Sequence, residues 1–266
     1  MVFRHVDLCS GIGGFALGFE WAELSSPVLF CDIEPWSRKI LAKHWPDVPI
    51  AEDVKELAND PNGLIPDCDI LTAGYPCQPF SLAGERRGTE DDRHIWPYIL
   101  SIVKAKRPAW CVFENVYGHV SMGLDEVLSD LEGESYAARP FIVPACAADA
   151  PHRRDRVWII ARNVGDTCSV RQQGSAKKQV QGITNISRQS FRGSQNPSRR
   201  WPVEPPVGRV ANGIPRRVDR LRGLGNAIVP QIAMRIGQTI KAAHDIPAQG
   251  YAHNNVNNSN TGENNV

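Results

Sequence analysis

The stretch Asp7-Leu8-Cys9-Ser10-Gly11-Ile12-Gly13-Gly14-Phe15-Ala16 decides how the rest of the chain is read. It follows an apolar run at 3–8 that reads as a strand and opens a segment at 15–23 that reads as a helix. Gly11, Gly13 and Ala16 fit the G-x-G-x-x-G/A pattern of a nucleotide-binding turn. Glycine in such a turn lets backbone amides approach a ligand, and the following helix N-terminus favours the ligand's negative groups. Asp32 ends the second strand 19 residues after Gly13, where an acid receives ribose hydroxyls. The plainer alternative is a glycine-rich turn needed only for chain reversal. The turn by itself fits a dinucleotide and other adenosine cofactors equally.

Outward from this turn, strands and helices alternate. Strands are expected at 3–8, 28–31, 70–73, 109–113, 141–144 and 157–161, with helices at 15–23, 35–44, 94–106 and 124–133. That is the sequence form of an α/β fold with a doubly wound, Rossmann-like sheet. Residues 1–162 form the expected catalytic and cofactor-binding domain. From 163 to 221 the pattern dissolves into Gln, Ser, Gly, Asn and Arg, giving a small irregular region. A helical pattern resumes at 225–243 within a C-terminal segment, 222–250. Residues 251–266 are rich in asparagine and poor in apolar anchors, so a disordered tail is expected.

The chain has 266 residues and a net charge of +1, which conceals a division. Between Asp166 and Arg222, twelve Lys and Arg face three acids, so that segment carries +9 and the remainder −8. A solvated charged face is the ordinary reading of such a run, but it also suits a nucleic-acid backbone. No apolar run reaches membrane-spanning length, and the N-terminal residues lack an apolar signal core. Seven cysteines, at 9, 31, 68, 77, 111, 146 and 168, form no C-x-x-C pair. Their number and spacing argue against a disulfide framework, a zinc ribbon or a thioredoxin-like redox site, and no metal is expected. A reducing cytoplasm is the natural compartment.

Two further motifs carry chemistry. In GYPCQPFSLAG (74–84), Pro76 and Pro79 flank Cys77 at the end of the 70–73 strand. The prolines fix φ on both sides, making a stiff mount where a strand gives way to a loop. Glu114 opens E-N-V (114–116) after the strand at 109–113. Taken singly, Cys77 reads as an incidental thiol and Glu114 as a local cap or surface acid. In a doubly wound sheet, however, strand C-termini line one crevice, and both residues would open into it beside the glycine turn.

Together these stretches resemble the DNA cytosine-5 methyltransferases. DLCSGIGG, GYPCQPFS, FENV, HRRDRVWIIA (152–161) and RLRGLGNAIVPQIA (220–233) occur in that family's order. The resemblance implies S-adenosylmethionine as cofactor. Leu8, Ser10, Gly11, Gly13 and Gly14 would line its site, with Asp32 on the ribose, Ile33 over the adenine, and Asp53 and Val54 beside it. It further implies Cys77 as the nucleophile and Glu114 as the acid that holds the target base. Arg154 and Arg156 match the paired basic residues that reach the base and the DNA near the thiol, and Ser81 would face DNA. Asn226 belongs to a last motif whose helix returns to close the pocket. Ile33 stands where many members have an aromatic, which weakens stacking on the adenine. His152 stands where Gln is commoner and receives no role. The basic 163–221 segment occupies the target-recognition position, though it is short for it, with Arg199 and Arg200 as expected contacts to the backbone of double-stranded DNA. A monomer is expected.

The chemistry supports these residue types independently. Carbon 5 of cytosine is a poor nucleophile until a thiolate adds to carbon 6, while an acid at N3 stabilises the developing charge. The base must leave the duplex to be reached. One rival reading is a relative that methylates cytosine in transfer RNA. Another, from a different class, is a dinucleotide-dependent oxidoreductase, which the glycine turn and Asp32 allow but P-C-Q and E-N-V do not support. A binding protein with a dead site is disfavoured by intact Cys77, Glu114 and Arg156.

Overall fold

The structure, a computed structural model, describes residues 2–76, 95–148, 150, 154–165 and 227–245. Its first strand, β1 (Phe3–Leu8), leads through the glycine turn into α1 (Gly14–Trp21). There follow β2 (Ser25–Cys31), α2 (Pro35–His44), β3 (Ile50–Ala51), α3 (Val54–Asn59), α4 (Pro61–Leu64), β4 (Ile70–Ala73) and α5 (Trp96–Lys106). The chain continues through β5 (Trp110–Val116), α6 (His119–Met122), α7 (Leu124–Gly133), β6 (Tyr136–Pro144), a 3-10 turn (Ala145–Ala148), β7 (Asp155–Asn163) and α8 (Pro230–Asp245).

Among the described residues, seven strands form one sheet in the order β3-β2-β1-β4-β5-β7-β6. The β3-β2-β1-β4-β5 part is parallel, while β7 runs antiparallel to both β5 and β6. Strand order reverses between β1 and β4, and open α/β sheets bind ligands at such a switch point, outside the strand C-termini. Because β7 is antiparallel, its first residues lie at the same edge, with Arg156 opposite Val116.

Helices cover both faces, so β4 is buried along its whole length and β1 and β5 at every position but Arg4 and Val116. On one face Val6, Leu8, Leu71 and Phe113 pack with Leu57 of α3, Ile99 and Val103 of α5, and Val127 and Leu131 of α7. On the other, Phe3, Ile70, Val112 and Trp158 pack with Phe15 and Phe19 of α1 and with Ile232, Ala233, Ile236 and Ile240 of α8. The α1–α8 contact is close because glycines permit it. A Cβ on Gly18 would collide with the carbonyl oxygen of Pro230, and one on Gly14 would lie 2.7 Å from that of Ile228. From the opposite side Gly237 meets Ala22 and Phe19.

Several elements differ from the sequence reading. β2 begins at Ser25 rather than 28, because the register shift between His5 and Val6 accommodates Pro27. β6 begins at Tyr136 rather than 141, since an edge strand tolerates Pro140. β5 runs on through Glu114, Asn115 and Val116, so E-N-V lies within the strand and not after it. β3, α3, α4 and α6 are too short to show a period and were not expected. The last helix starts at Pro230, a favoured first helical residue, and 227–229 are not helical. The expected start of the 94–106 helix at His94, most of the 163–221 region and the 251–266 tail lie outside the described residues. Cys9, Cys31, Cys68, Cys111 and Cys146 are free thiols.

A buried polar row crosses β1 and β4 beneath α1. The Thr72 hydroxyl donates to Asp7 Oδ1 at 2.6 Å, and its oxygen lies 2.7 Å from His5 Nε2. Burial holds His5 down to about 3 and pushes Asp7 up to about 8. From pH 3 to 6.5 the folded His5 stays neutral while the unfolded one binds a proton, so this group makes stability rise with pH. Folded Asp7 keeps a proton that the unfolded chain releases above about 4, so its contribution is lost as pH rises through about 8. Above 6.5 only the loss remains, to which Glu114, raised to about 7, adds in its lower part. Resistance to urea should therefore fall between pH 6.5 and 8, and Asp7→Asn should flatten the fall. A variant with the native slope would acquit Asp7.

Candidate active site

Two clusters lie along the C-terminal edge of the parallel strands. The first surrounds the glycine turn. Ser10 is buried, its hydroxyl donating to Asp7 O at 2.6 Å and accepting from Cys31 N at 3.2 Å, so it fastens the turn to β2. Leu8 is buried at the end of β1. Gly11 and Gly13 have φ of +55° and +83°, which any side chain would strain. Their surroundings differ: among the described residues a Cβ on Gly11 would meet nothing within 4 Å, whereas one on Gly13 would lie 2.5 Å from the Trp45 ring. Among the described residues of this turn, Gly11 faces open space on its Cβ side, whereas Gly13 and Gly14 are required by packing.

Asp32 organises this cluster. Its Oδ2 accepts from Gly11 N at 2.7 Å and its Oδ1 from Glu34 N at 2.9 Å. Burial raises its pKa, opposed by these two amides. A carboxylate offers about four lone-pair sites, so the two amides and the Ser37 side chain, which also holds the pKa down, leave acceptor capacity for a hydroxyl. Ile33 beside it is 69 % exposed, an apolar side chain turned to solvent. Asp53 caps α3 by accepting from Lys55 N at 2.9 Å, above buried Val54. Arg38, which no local motif singles out, joins the two loops. Its Nη1 donates to the carbonyls of Asp32 at 3.0 Å and Ile33 at 2.9 Å, and its Nη2 lies 2.9 Å from Glu52 Oε1.

The second cluster lies on β5 and β7. Glu114 is buried, and Arg156 Nε approaches its Oε1 at 3.0 Å. Burial pushes the Glu114 carboxyl up to about 7, while Arg156 and Arg154 restrain the rise. A carboxyl with that pKa is divided between acid and carboxylate near neutrality, the condition general acid–base work requires. Arg154 has a φ of 40° and donates from Nη2 to Ala227 O at 2.9 Å, tying the start of β7 to the segment that enters α8. Asn115 Oδ1 accepts from Val116 N at 2.8 Å, and its buried Nδ2 has no partner among the described residues.

The structure thus gathers Gly11, Asp32, Ile33 and Asp53 in one cluster and Glu114, Arg154 and Arg156 in the other. β4 delivers the chain to this edge through Gly74, Tyr75 and Pro76. Cys77, Ser81, Arg199, Arg200 and Asn226 lie outside the described residues, as does His152. A second group the sequence reading missed is the aromatic set Tyr75, Trp96, Phe113 and His119, with ring centroids 5.3–6.3 Å apart in the pairs that touch. Its members sit at β4's end, the start of α5, the residue before Glu114 and the start of α6. Among the described residues no helix is long and apolar enough to cross a membrane.

The family model for C-5 cytosine-specific DNA methylase matches residues 3–200. The type II methyltransferase M2.BsuMI of Bacillus subtilis (strain 168) is 34% identical over 170 residues, covering 59% of this chain and 41% of that protein. The type II methyltransferase M.NgoFVII of Neisseria gonorrhoeae is 32% identical over 163 residues, covering 59% and 43%. The chain therefore spans about two fifths of the length of these curated relatives. Among solved structures, the S. pombe Dnmt2 methyltransferase aligns with a TM-score of 0.53 and 26% identity, covering 60% of this chain and 50% of that one.

Proposed function

Because the chain belongs to the C-5 cytosine-specific DNA methylase family, we propose that it methylates carbon 5 of a cytosine extruded from double-stranded DNA. The observation that carries this reading is the buried Glu114–Arg156 pair, at 3.0 Å, on the edge to which β4 brings the chain just before Cys77. The dinucleotide-oxidoreductase reading ends with the family.

The Cys77 thiolate adds to carbon 6, forming the S–C6 bond and moving the C5–C6 π pair onto carbon 5 as an enamine. Protonated Glu114 donates to N3 and so neutralises charge that would otherwise build on the ring. Arg156 holds the Glu114 carboxyl in place and limits how far burial raises its pKa. Once carbon 5 carries its new substituent, water takes the C5 proton, the C5–H pair restores the C5–C6 double bond, the sulfur leaves carbon 6 as the Cys77 thiolate, and N3 returns its proton to Glu114. S-adenosylmethionine supplies the electrophilic methyl group when bound.

The first cluster fits that cofactor. Gly11 leaves open room for a ligand to approach its backbone, Asp32 retains acceptor capacity for a ribose hydroxyl, and exposed Ile33 provides an apolar face for an adenine. Asp32→Ala should raise the cofactor Kd roughly tenfold to a hundredfold in a calorimetric titration, since it removes charge-assisted bonds and releases the Gly11 amide. A Kd within twofold of native would remove Asp32 from cofactor binding.

The basic segment supplies the hold on phosphates. Log affinity for duplex DNA should fall with log salt by about 0.9 per phosphate neutralised. The double change of Arg199 and Arg200 to Ala should weaken target and scrambled duplexes alike and flatten that slope by up to about two units. Native binding and slope in filter assays would show that this pair faces solvent.

Bisulfite sequencing of DNA from cells expressing the protein, with parallel assays of purified protein on duplex DNA and transfer RNA, tests the whole reading. New 5-methylcytosine in a fixed duplex context is the expected result. Methylation confined to transfer RNA would replace the substrate, and transfer to neither would overturn the reading.

A further inference from the structure

Past Ala73, which pairs with Phe113, the ladder between β4 and β5 ends. Two residues on, Tyr75 turns inward, and its hydroxyl lies 3.0 Å from Nε2 of His119. Both side chains are buried. His119 opens α6, three residues after the E-N-V strand ends. Its ring stands edge-on to Tyr75 at 86°, with centroids 5.6 Å apart. The fit is tight: a Cβ at position 123 would come within 3.0 Å of His119 Cε1, and that residue is Gly123. Burial lowers the His119 pKa, so the ring is neutral and carries one N–H. The bond forms either by the phenol donating to Nε2 or by Nε2–H donating to the phenol oxygen.

We propose that His119 is a positioning residue, which through Tyr75 fixes the mount of Cys77 relative to Glu114. The inference rests on the reading of Cys77 and Glu114 as the reacting pair. Consecutive Cα atoms across a trans peptide are about 3.8 Å apart, so Cys77 lies two links from a side chain held by His119. On the other side, Val116 to His119 is a span of three residues, and Phe113, which precedes Glu114, packs in the same aromatic set. One hydrogen bond thus joins the approach to the thiol with the exit from the acid. A displacement of about an ångström between reacting groups costs on the order of a hundredfold in rate, so loss of a single anchor should register in the chemical step rather than in binding.

The test compares Tyr75→Phe, His119→Ala, the Tyr75→Phe/His119→Ala double variant and His119→Gln in the full chain. In single turnover at saturating cofactor and duplex, Tyr75→Phe and His119→Ala should each slow methyl transfer by about tenfold. The double variant should be no slower than the slower single, because both remove the same bond. His119→Gln, whose amide reaches the place of Nε2, should recover most of the rate. Dissociation constants for cofactor and duplex should stay within twofold of native. A native rate in Tyr75→Phe, or a glutamine variant as slow as the alanine one, would overturn the proposal and leave His119 as packing. Hydrogen exchange at the amides of Tyr75 and Glu114–Val116, followed without substrate, is a readout independent of catalysis. It should quicken in Tyr75→Phe and His119→Ala and return toward native in His119→Gln, and unchanged exchange would also count against the proposal. A native protein that transfers no methyl group would sink the proposed reaction instead, with exchange still deciding whether the bond holds the two segments.

Discussion

Cys77→Ser is expected to abolish methyl transfer while leaving the affinities for cofactor and duplex largely intact. The nucleophile is the thiolate, and a neutral serine hydroxyl is far weaker than a cysteine that ionises near pH 8.5. Duplex containing 5-fluorocytosine separates this effect from misfolding. Fluorine cannot leave carbon 5 as a proton does, so the native protein should form an adduct that survives denaturation, and the serine variant should form none. Equal trapping by the serine variant would dismiss Cys77 as the attacking group.

Glu114→Gln should lower the single-turnover rate by about 10²–10³, because its amide can donate a hydrogen bond to N3 but cannot deliver a proton to it, with a much smaller effect on duplex affinity. The contact strengthens as the ring becomes an enamine, which is why rate suffers more than binding. The pH profile adds a second signature. With the carboxyl raised to about 7 by burial, the acid form is lost as pH rises through that value. kcat/KM of the native protein should therefore carry a falling limb near pH 7 that Glu114→Gln lacks. A glutamine variant with the native rate would take Glu114 out of the mechanism.

What the sequence made legible was governed by local period and turn chemistry. The apolar runs of β1 and β4 and the periodicity of α2, α5 and α7 stand in the structure close to where they were expected. Polar residues misled where the fold buries them. Glu114 and Asn115 look like a loop, yet they complete β5 because β7 pairs beside them and Arg156 meets the charge. Prolines misled in the opposite sense. Pro27 and Pro140 look like stops, and a bulge and an edge position absorb them. At the candidate site, Asp32 and the glycine turn were visible as a motif, but the motif could not apportion its glycines. Gly13 and Gly14 are small because Trp45 and Ile228 press on them, partners 32 and 214 positions away along the chain. Arg38 and His119 had no signal at all, since each acts through long-range neighbours that no local spacing encodes.

The glycine-lined seam between α1 and α8 also dictates when the molecule can become whole. α1 leaves the ribosome early, but the residues that cover Phe15 and Phe19 arrive only with Ile232, Ala233 and Ile236. At about 5–20 residues per second, the interval between the two helices is roughly 10–40 s of synthesis. Throughout it, one face of the nascent sheet carries uncovered aromatic surface, the condition under which growing chains aggregate or engage chaperones. Nascent chains halted before Pro230 should accordingly be held by chaperones, and chains released after Asp245 should not.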